Sequence, residues 1–287
     1  MYESRSGTSR QCPQISLREM VSGVVIVAHN EDTTALRAAL ISEGLSVDEV
    51  RGPYTPEQLT FAAITRCMVN HANAWRIAAR RSQPTIIVEA DFVPVKGFGG
   101  LMAPLPLERI SSSLAYLYAA GPEIWDLAGP HFARGHGGGL VATLIPPTVA
   151  SQLLHYVDEE MTRNPLGTYS PFDTEIGYWL KDRGVQSYIP YRHYGEHGGI
   201  PNPEHAVFGL GRPHQADVLH TSLAFLPAYA NGSRLRYWRT RMRARAWGVL
   251  RLITGRFVAR HNLLCREWLR IIRFSVGRLF FLEPLDK

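Results

Sequence analysis

Short apolar runs alternate with longer stretches of helical spacing through most of the chain. That alternation predicts an α/β fold with a mainly parallel sheet and helices on its faces. Residues 21–28 (VSGVVIVA) have the pattern of a buried strand that runs into His29-Asn30-Glu31-Asp32, where Asp32 is placed to cap a helix over 33–43. A second strand is expected at 45–50, and a Pro/Gly loop at 52–56. In the helix expected over 56–81, Ile64, Cys67, Met68, His71, Trp75 and Ala78 recur at spacings of three and four, which puts them on one face.

The run Thr85-Ile86-Ile87-Val88-Glu89-Ala90-Asp91 is a β-rich strand that ends in two carboxylates one residue apart. A Gly- and Pro-rich loop is expected over 92–106 and a helix over 107–119. A strand at 124–128, a Gly-rich turn and a strand at 140–145 follow. Pro146-Pro147 opens a helix to about residue 160, then come a helix over 172–183 and a strand over 185–189. Residues 191–233 have no clear period, and the pattern from Arg234 onward is helical.

The chain has 287 residues, 45% hydrophobic and 20% charged, enough for a sizeable core. The charge is unevenly divided. From Arg234 onward there are 14 Lys and Arg against 3 Asp and Glu, whereas residues 1–233 hold 17 against 22. An acidic body therefore carries a basic tail in which arginines interleave with Trp238, Trp247, Leu250, Phe257, Trp268 and Phe274. A basic, aromatic-bearing amphipathic helix suits an anionic membrane surface; a helical cap on the domain is the plainer alternative, and nucleic acid a less favoured one. The division expected is a flexible lead-in over 1–20, a catalytic domain over 21–233 and a helical tail over 234–287.

Cys12, Cys67 and Cys265 are odd in number and far apart, which argues against a disulfide framework and for a reducing compartment. The first twenty residues lack the apolar segment of a secretory signal, and no run of about 18 apolar residues predicts a spanning helix.

Several groups carry candidate chemistry. Strand positions alternate faces, so Glu89 and Asp91 share a side, beyond the carboxyl end of a strand where open α/β sheets bind ligands. Two carboxylates there can hold a hard cation, and an ordinary acidic turn has the same pattern. Cys67, His71 and Trp75 step by four; a zinc site lacks two further ligands in the sequence, so a packed face with a hydrogen-bonded histidine is expected. The segment Gly135-His136-Gly137-Gly138-Gly139 contains the HGGG of esterase oxyanion holes, but no G-x-S-x-G accompanies it. A tight turn, or close approach of backbone to a ligand, is the better reading. No phosphate-loop or dinucleotide fingerprint occurs. Asp173 and Glu175 are candidate general bases, or simply acids that favour a helix N-terminus. His193, His197 and His205, with Glu196 and Glu204, form a histidine-rich loop able to supply a late metal ligand or contact phosphate.

Taken in order, these pieces resemble glycosyltransferase family 25, the lipooligosaccharide-type sugar transferases. That family has a Cys–Ser/Asn–His–Trp helix followed by an apolar strand ending in Glu-Asp-Asp; here stand Cys67-Met68-Val69-Asn70-His71, then Trp75, and Glu89-Ala90-Asp91. The small-residue strand at 138–145, Leu153-Leu154 and Pro171-Phe172-Asp173 are similar to its later segments. The likeness covers roughly residues 22–190; Ala90 departs from the family's middle acid, and the arginine-bearing opening is missing.

The resemblance implies a GT-A-like, Rossmann-type sheet flanked by helices, with the basic helical extension added. It implies an inverting transfer from a nucleotide sugar, a uridine diphosphate sugar being expected, to a glycan or lipid-linked acceptor. On that reading Ala28, His29, Asn30 and Glu89 contact the donor. Mn²⁺ or Mg²⁺ is held by Asp91 with His193 and His197, and Asp173 with Glu175 serves the acceptor. The enzyme would sit at the cytoplasmic face of a membrane. A non-catalytic membrane-associated protein on the same fold is the alternative, which Ala90 favours.

Overall fold

The computed structural model describes residues 15–200, 214–257 and 268–281. An eight-stranded mixed sheet lies at the centre, flanked by helices. Its strands are β1 (Gly23–Ala28), β2 (Val47–Arg51), β3 (Thr85–Glu89), β5 (Ser113–Tyr116), β6 (Glu123–Leu127), β7 (Phe132–His136), β8 (Ala142–Ile145) and β9 (Gln186–Pro190), in the order β2-β1-β3-β8-β5-β9-β7-β6. β8 pairs antiparallel with β3 and β5, and β7 antiparallel with β9 and β6, so these two run against the others. The parallel pairs are β1 with β2, β1 with β3, and β5 with β9. A small antiparallel sheet pairs β4 (Phe92–Pro94) with β10 (Gly195–His197).

Side-chain alternation divides the core. Val24, Ile26, Ile86, Val88, Ala115 and Leu144 face one apolar layer, with Leu36 and Leu40 of α2 (Thr34–Ser42). Val25, Val27, Ile87, Leu114 and Ile145 face the other. That second layer holds Met68 and Trp75 of α3 (Ala63–Ala79), Leu153 of α4 (Pro147–Arg163) and Ile176 of α5 (Phe172–Asp182). Strands covered on both faces must be apolar throughout, which is why β1 and β3 stand out in the sequence.

Several expectations are corrected. The segment expected as a helix over 107–119 is a 3₁₀ turn, Leu107–Arg109, followed by β5. The loop expected over 92–106 contains β4, and the turn expected before residue 140 contains β7. The helix expected from residue 56 begins at Ala63, after a 3₁₀ turn at Gln58–Thr60. Residues 16–20 do not belong to a loose lead-in: α1 (Leu17–Met20) buries Leu17, whose N–H donates to Leu101 O at 2.8 Å. The lead-in over 1–14 lies outside the described residues, as do His205 and Glu204.

The tail forms α6 (Arg234–Ile253) and α7 (Trp268–Phe280), and it is joined to the body. Phe257, Ile271 and Leu279 share an apolar cluster with Ile124, Ala133 and Val218. Two buried ion pairs fasten it. Arg278 of α7 makes a bidentate contact with Asp217, Nη1 to Oδ2 at 2.8 Å and Nη2 to Oδ1 at 3.0 Å. Arg241 of α6 pairs with Glu196 on β10 and donates to Ala216 O at 2.8 Å.

Removing one partner of a buried pair strands the other charge in the core, at a cost of about 3–5 kcal/mol. Arg278→Leu should therefore lower unfolding stability by about 3 kcal/mol or more in urea titrations; an unshifted midpoint would show that this pair does not hold the tail.

Acid sensitivity follows from the same cluster. Burial keeps the His193 imidazole below its ordinary value despite its hydrogen bond to Asp217. Burial opposes ionisation of Asp217, but the Arg278 charge and the His193 hydrogen bond outweigh it and hold that carboxyl far below the usual range. Both groups bind protons more readily when unfolded, so stability is lost as pH falls, from about pH 6.5 for His193 and from about pH 4 for Asp217. Thermal melts recorded downward from neutral pH should show this decline; a flat profile through pH 6 would contradict a buried neutral His193.

Candidate functional site

The strands β1 and β3 end together at one edge of the sheet. Ala90 N–H donates to Val27 O and Glu89 N–H to Val141 O, both at 2.9 Å, so the segments after β1 and β3 meet the one before β8. Gly138 and Gly139 make the turn into that segment with φ of 56° and 116°, conformations that side chains disfavour. The HGGG stretch is thus a tight turn, and Asp173 Oδ2 lies 3.9 Å from where a Cβ on Gly139 would sit.

β10 closes over this edge. Its register with β4 sets His197 opposite Phe92, one residue after Asp91. Gly198 N–H donates to Asp91 O at 2.8 Å, and His197 Nε2 lies 2.8 Å from Asp91 Oδ2. A Cβ on Gly199 would collide with the Asp91 carboxylate, so glycine there permits the close approach. Asp91 Oδ1 is buried with no hydrogen-bond partner among the described residues. A buried carboxylate oxygen without a donor is costly unless something outside the protein satisfies it.

Ligand atoms of Glu89, Asp91 and His197 all lie within 4.8 Å of one another. Two carboxylates and an imidazole are donors able to hold a divalent cation, and the unpartnered Oδ1 leaves an oxygen open to one. Burial alone would lower the His197 pKa. The charge and hydrogen bond of Asp91, with Glu89 and Glu196 farther off, outweigh it and raise the value to about 9. The imidazole therefore carries a proton near neutral pH, and any cation bound through its nitrogen would have to displace that proton.

Glu89 also faces α3. His71 Nε2 lies 3.1 Å from Glu89 Oε1. A carboxylate accepts only, so Nε2 carries the proton, and the buried Nδ1 has no partner among the described residues. Cys67, His71 and Glu89 form a second group with ligand atoms within 4.8 Å. Glu89 is the third ligand that the spacing of Cys67 and His71 could not reveal. Burial, then the charges of Glu89, Asp173, Asp91 and Glu31, push the Cys67 thiol well above its ordinary value. The thiol stays protonated, which counts against a cysteine nucleophile. All four carboxylates lie near enough to Cys67 to oppose its ionisation.

The other expected site residues divide. Ala28 is buried, and its carbonyl accepts from Asn70 Nδ2 at 2.9 Å. His29 and Asn30 are exposed at the end of β1; the His29 ring lies 5.4 Å from Tyr54, and the His29 backbone N–H donates to Glu31 Oε2 at 2.6 Å. Asp173 is partly buried in the first turn of α5, near Gly139.

One assignment is corrected. His193 is no metal ligand: it is fully buried, Nδ1 accepts from Ala119 N–H at 3.3 Å, and Nε2 lies 3.0 Å from Asp217 Oδ1. Both ring nitrogens are occupied in fastening the fold. Glu175 pairs with Arg163 of α4 at 3.1 Å, and Arg163 also meets Glu160.

Sequence reasoning passed over Glu31 and Gly199. Glu31 directly follows residues 28–30, and Gly199 follows His197 by two residues, with no local pattern that marks either. No family model matches the chain, and no curated protein matches it in sequence.

The ligand set predicts its own test. Asp91→Asn and His197→Ala should each weaken Mn²⁺ binding by about tenfold or more in calorimetric titrations. Arg134→Ala, far from the cluster on β7, should leave it unchanged; equal affinity in all three variants would remove these residues as ligands.

Proposed function

We propose that the chain is a glycosyltransferase of the GT-A type, which moves a sugar from a nucleotide diphosphate donor to a glycan or lipid-linked acceptor with inversion. One observation carries the reading: Asp91, Glu89 and His197 converge where β1 and β3 end, at the strand carboxyl ends where open α/β sheets bind ligands. The resemblance to glycosyltransferase family 25 supports it from the sequence side.

A divalent ion bound there would supply positive charge to neutralise the leaving diphosphate. The protein's own groups do the rest. Asp91 and Glu89 fix the position of charge at the strand ends, and His197 closes the set from β10. On this reading the exposed His29 and Asn30, on the neighbouring strand end, would contact the donor. Asp173, near Gly139, is the candidate to take the acceptor hydroxyl's proton as that oxygen attacks the anomeric carbon. Inversion needs one base on the face away from the leaving group. The expected donor is a uridine diphosphate sugar, and a lipid-linked acceptor would place the enzyme at the inner membrane face.

Ala90 bears on the non-catalytic alternative. Its side chain packs against the apolar layer that contains Val88, on the opposite side of the strand from Glu89. An acid at that position would point into the core, so its absence takes no ligand from the Glu89–Asp91–His197 set.

A screen of nucleotide sugars by thermal shift, with and without Mn²⁺, tests the proposal, because ligands that bind the folded form raise apparent stability. A donor that stabilises only with Mn²⁺ is the expected result, and no stabilisation by any donor would favour the non-catalytic alternative. Asp173→Asn should lose transfer by about a hundredfold or more with donor affinity retained; loss of donor binding instead would move Asp173 to the nucleotide side.

A further inference from the structure

The helix α6 has two unlike faces. Tyr237, Arg241, Ala244 and Gly248 turn inward: Arg241 reaches Glu196, Ala244 is buried, and a Cβ on Gly248 would press on Asp217 and Leu279. On the opposite face Leu235, Trp238, Met242, Val249 and Ile253 recur at three, four, seven and four, a stripe along one line of the helix. Leu235 is 69% exposed, Trp238 62%, Met242 66% and Ile253 76%, so the stripe points away from the body. Exposed Arg239 and Arg243 run along one flank, with Arg236 beyond them. On the other flank Arg245 stands 5.9 Å above the ring of Phe280, itself 55% exposed. No acidic residue occurs in α6 or α7.

From this arrangement we infer that α6 is a rigid interfacial anchor whose Leu235–Ile253 stripe enters an anionic lipid surface. Large apolar side chains bordered by arginines and indoles match the boundary between headgroups and acyl chains. The helix lies along such a surface. Among the described residues no helix is long and apolar enough to cross a membrane. A second copy is a poor occupant, since two such stripes would bring arginine against arginine. Nucleic acid offers nothing to Leu235, Met242 and Ile253. The buried pairs of Arg241 and Arg278 hold the anchor in place, so the stripe is presented ready-made.

The inference does not rest on the transferase reading, and its test uses no sugar donor. The full chain is sedimented with vesicles of phosphatidylcholine alone and of phosphatidylcholine mixed with phosphatidylglycerol. Sedimentation with the anionic vesicles only is expected. Trp238→Ser with Met242→Ser should lower that binding by about tenfold or more while the melting temperature is retained. Arg239→Gln with Arg243→Gln should weaken it most at low salt. Absence of sedimentation with anionic vesicles would overturn the proposal, as would unchanged binding by the Trp238/Met242 variant. A stable dimer that this variant dissociates, or tighter binding to duplex or single-stranded nucleic acid than to vesicles, would also overturn it.

Discussion

The contact between Asp91 and His197 joins residues at two distant places in the chain, and the candidate site depends on it. It is set by backbone. The register of β10 on β4 brings His197 beside the end of β3, and glycine at 199 leaves room for the carboxylate. In the absence of a cation the pair is an imidazolium facing a carboxylate. Protonation of His197 is stabilised by the acids around it, and those acids are what would attract a metal ion in its place.

The tail bears on this contact from behind. Glu196, next to His197, is buried and turned the other way, where Arg241 of α6 meets it. Burial pushes the Glu196 carboxyl up, and the Arg241 guanidinium opposes that shift. Asp217, His193 and Arg278 form a second fastening on the same loop layer, where His220 N–H also donates to His193 O at 2.9 Å. The strand that carries His197 is therefore braced by the helices whose outer face is apolar and basic.

Much of the central sheet was legible because β1 and β3 are buried on both faces and so carry uninterrupted runs such as Thr85–Val88. The α3 face was legible from its three-and-four spacing. What stayed hidden has physical causes. The stretch Ser113–Tyr116 is short, and its apolar residues fit a helix as well as a strand, so only pairing with β8 and β9 decides it. β7 contains Gly135-His136 and resembles a turn. β10 is three residues long, too short to show any period. His193 and His197 cannot be told apart by spacing. One is sealed against Asp217 and the other opens onto Asp91, a difference made by tertiary contacts alone. Arg241 and Arg278 look like their surface neighbours in the sequence, because burial of a paired arginine leaves no local pattern.

The most direct measurement is anomalous diffraction at the manganese edge from crystals grown with Mn²⁺ and a nucleoside diphosphate. The account predicts one peak at coordination distance from the carboxylates of Glu89 and Asp91 and from Nε2 of His197, with the diphosphate on its open side. A peak elsewhere, or crystals with nucleotide bound and no metal beside Asp91, would contradict it.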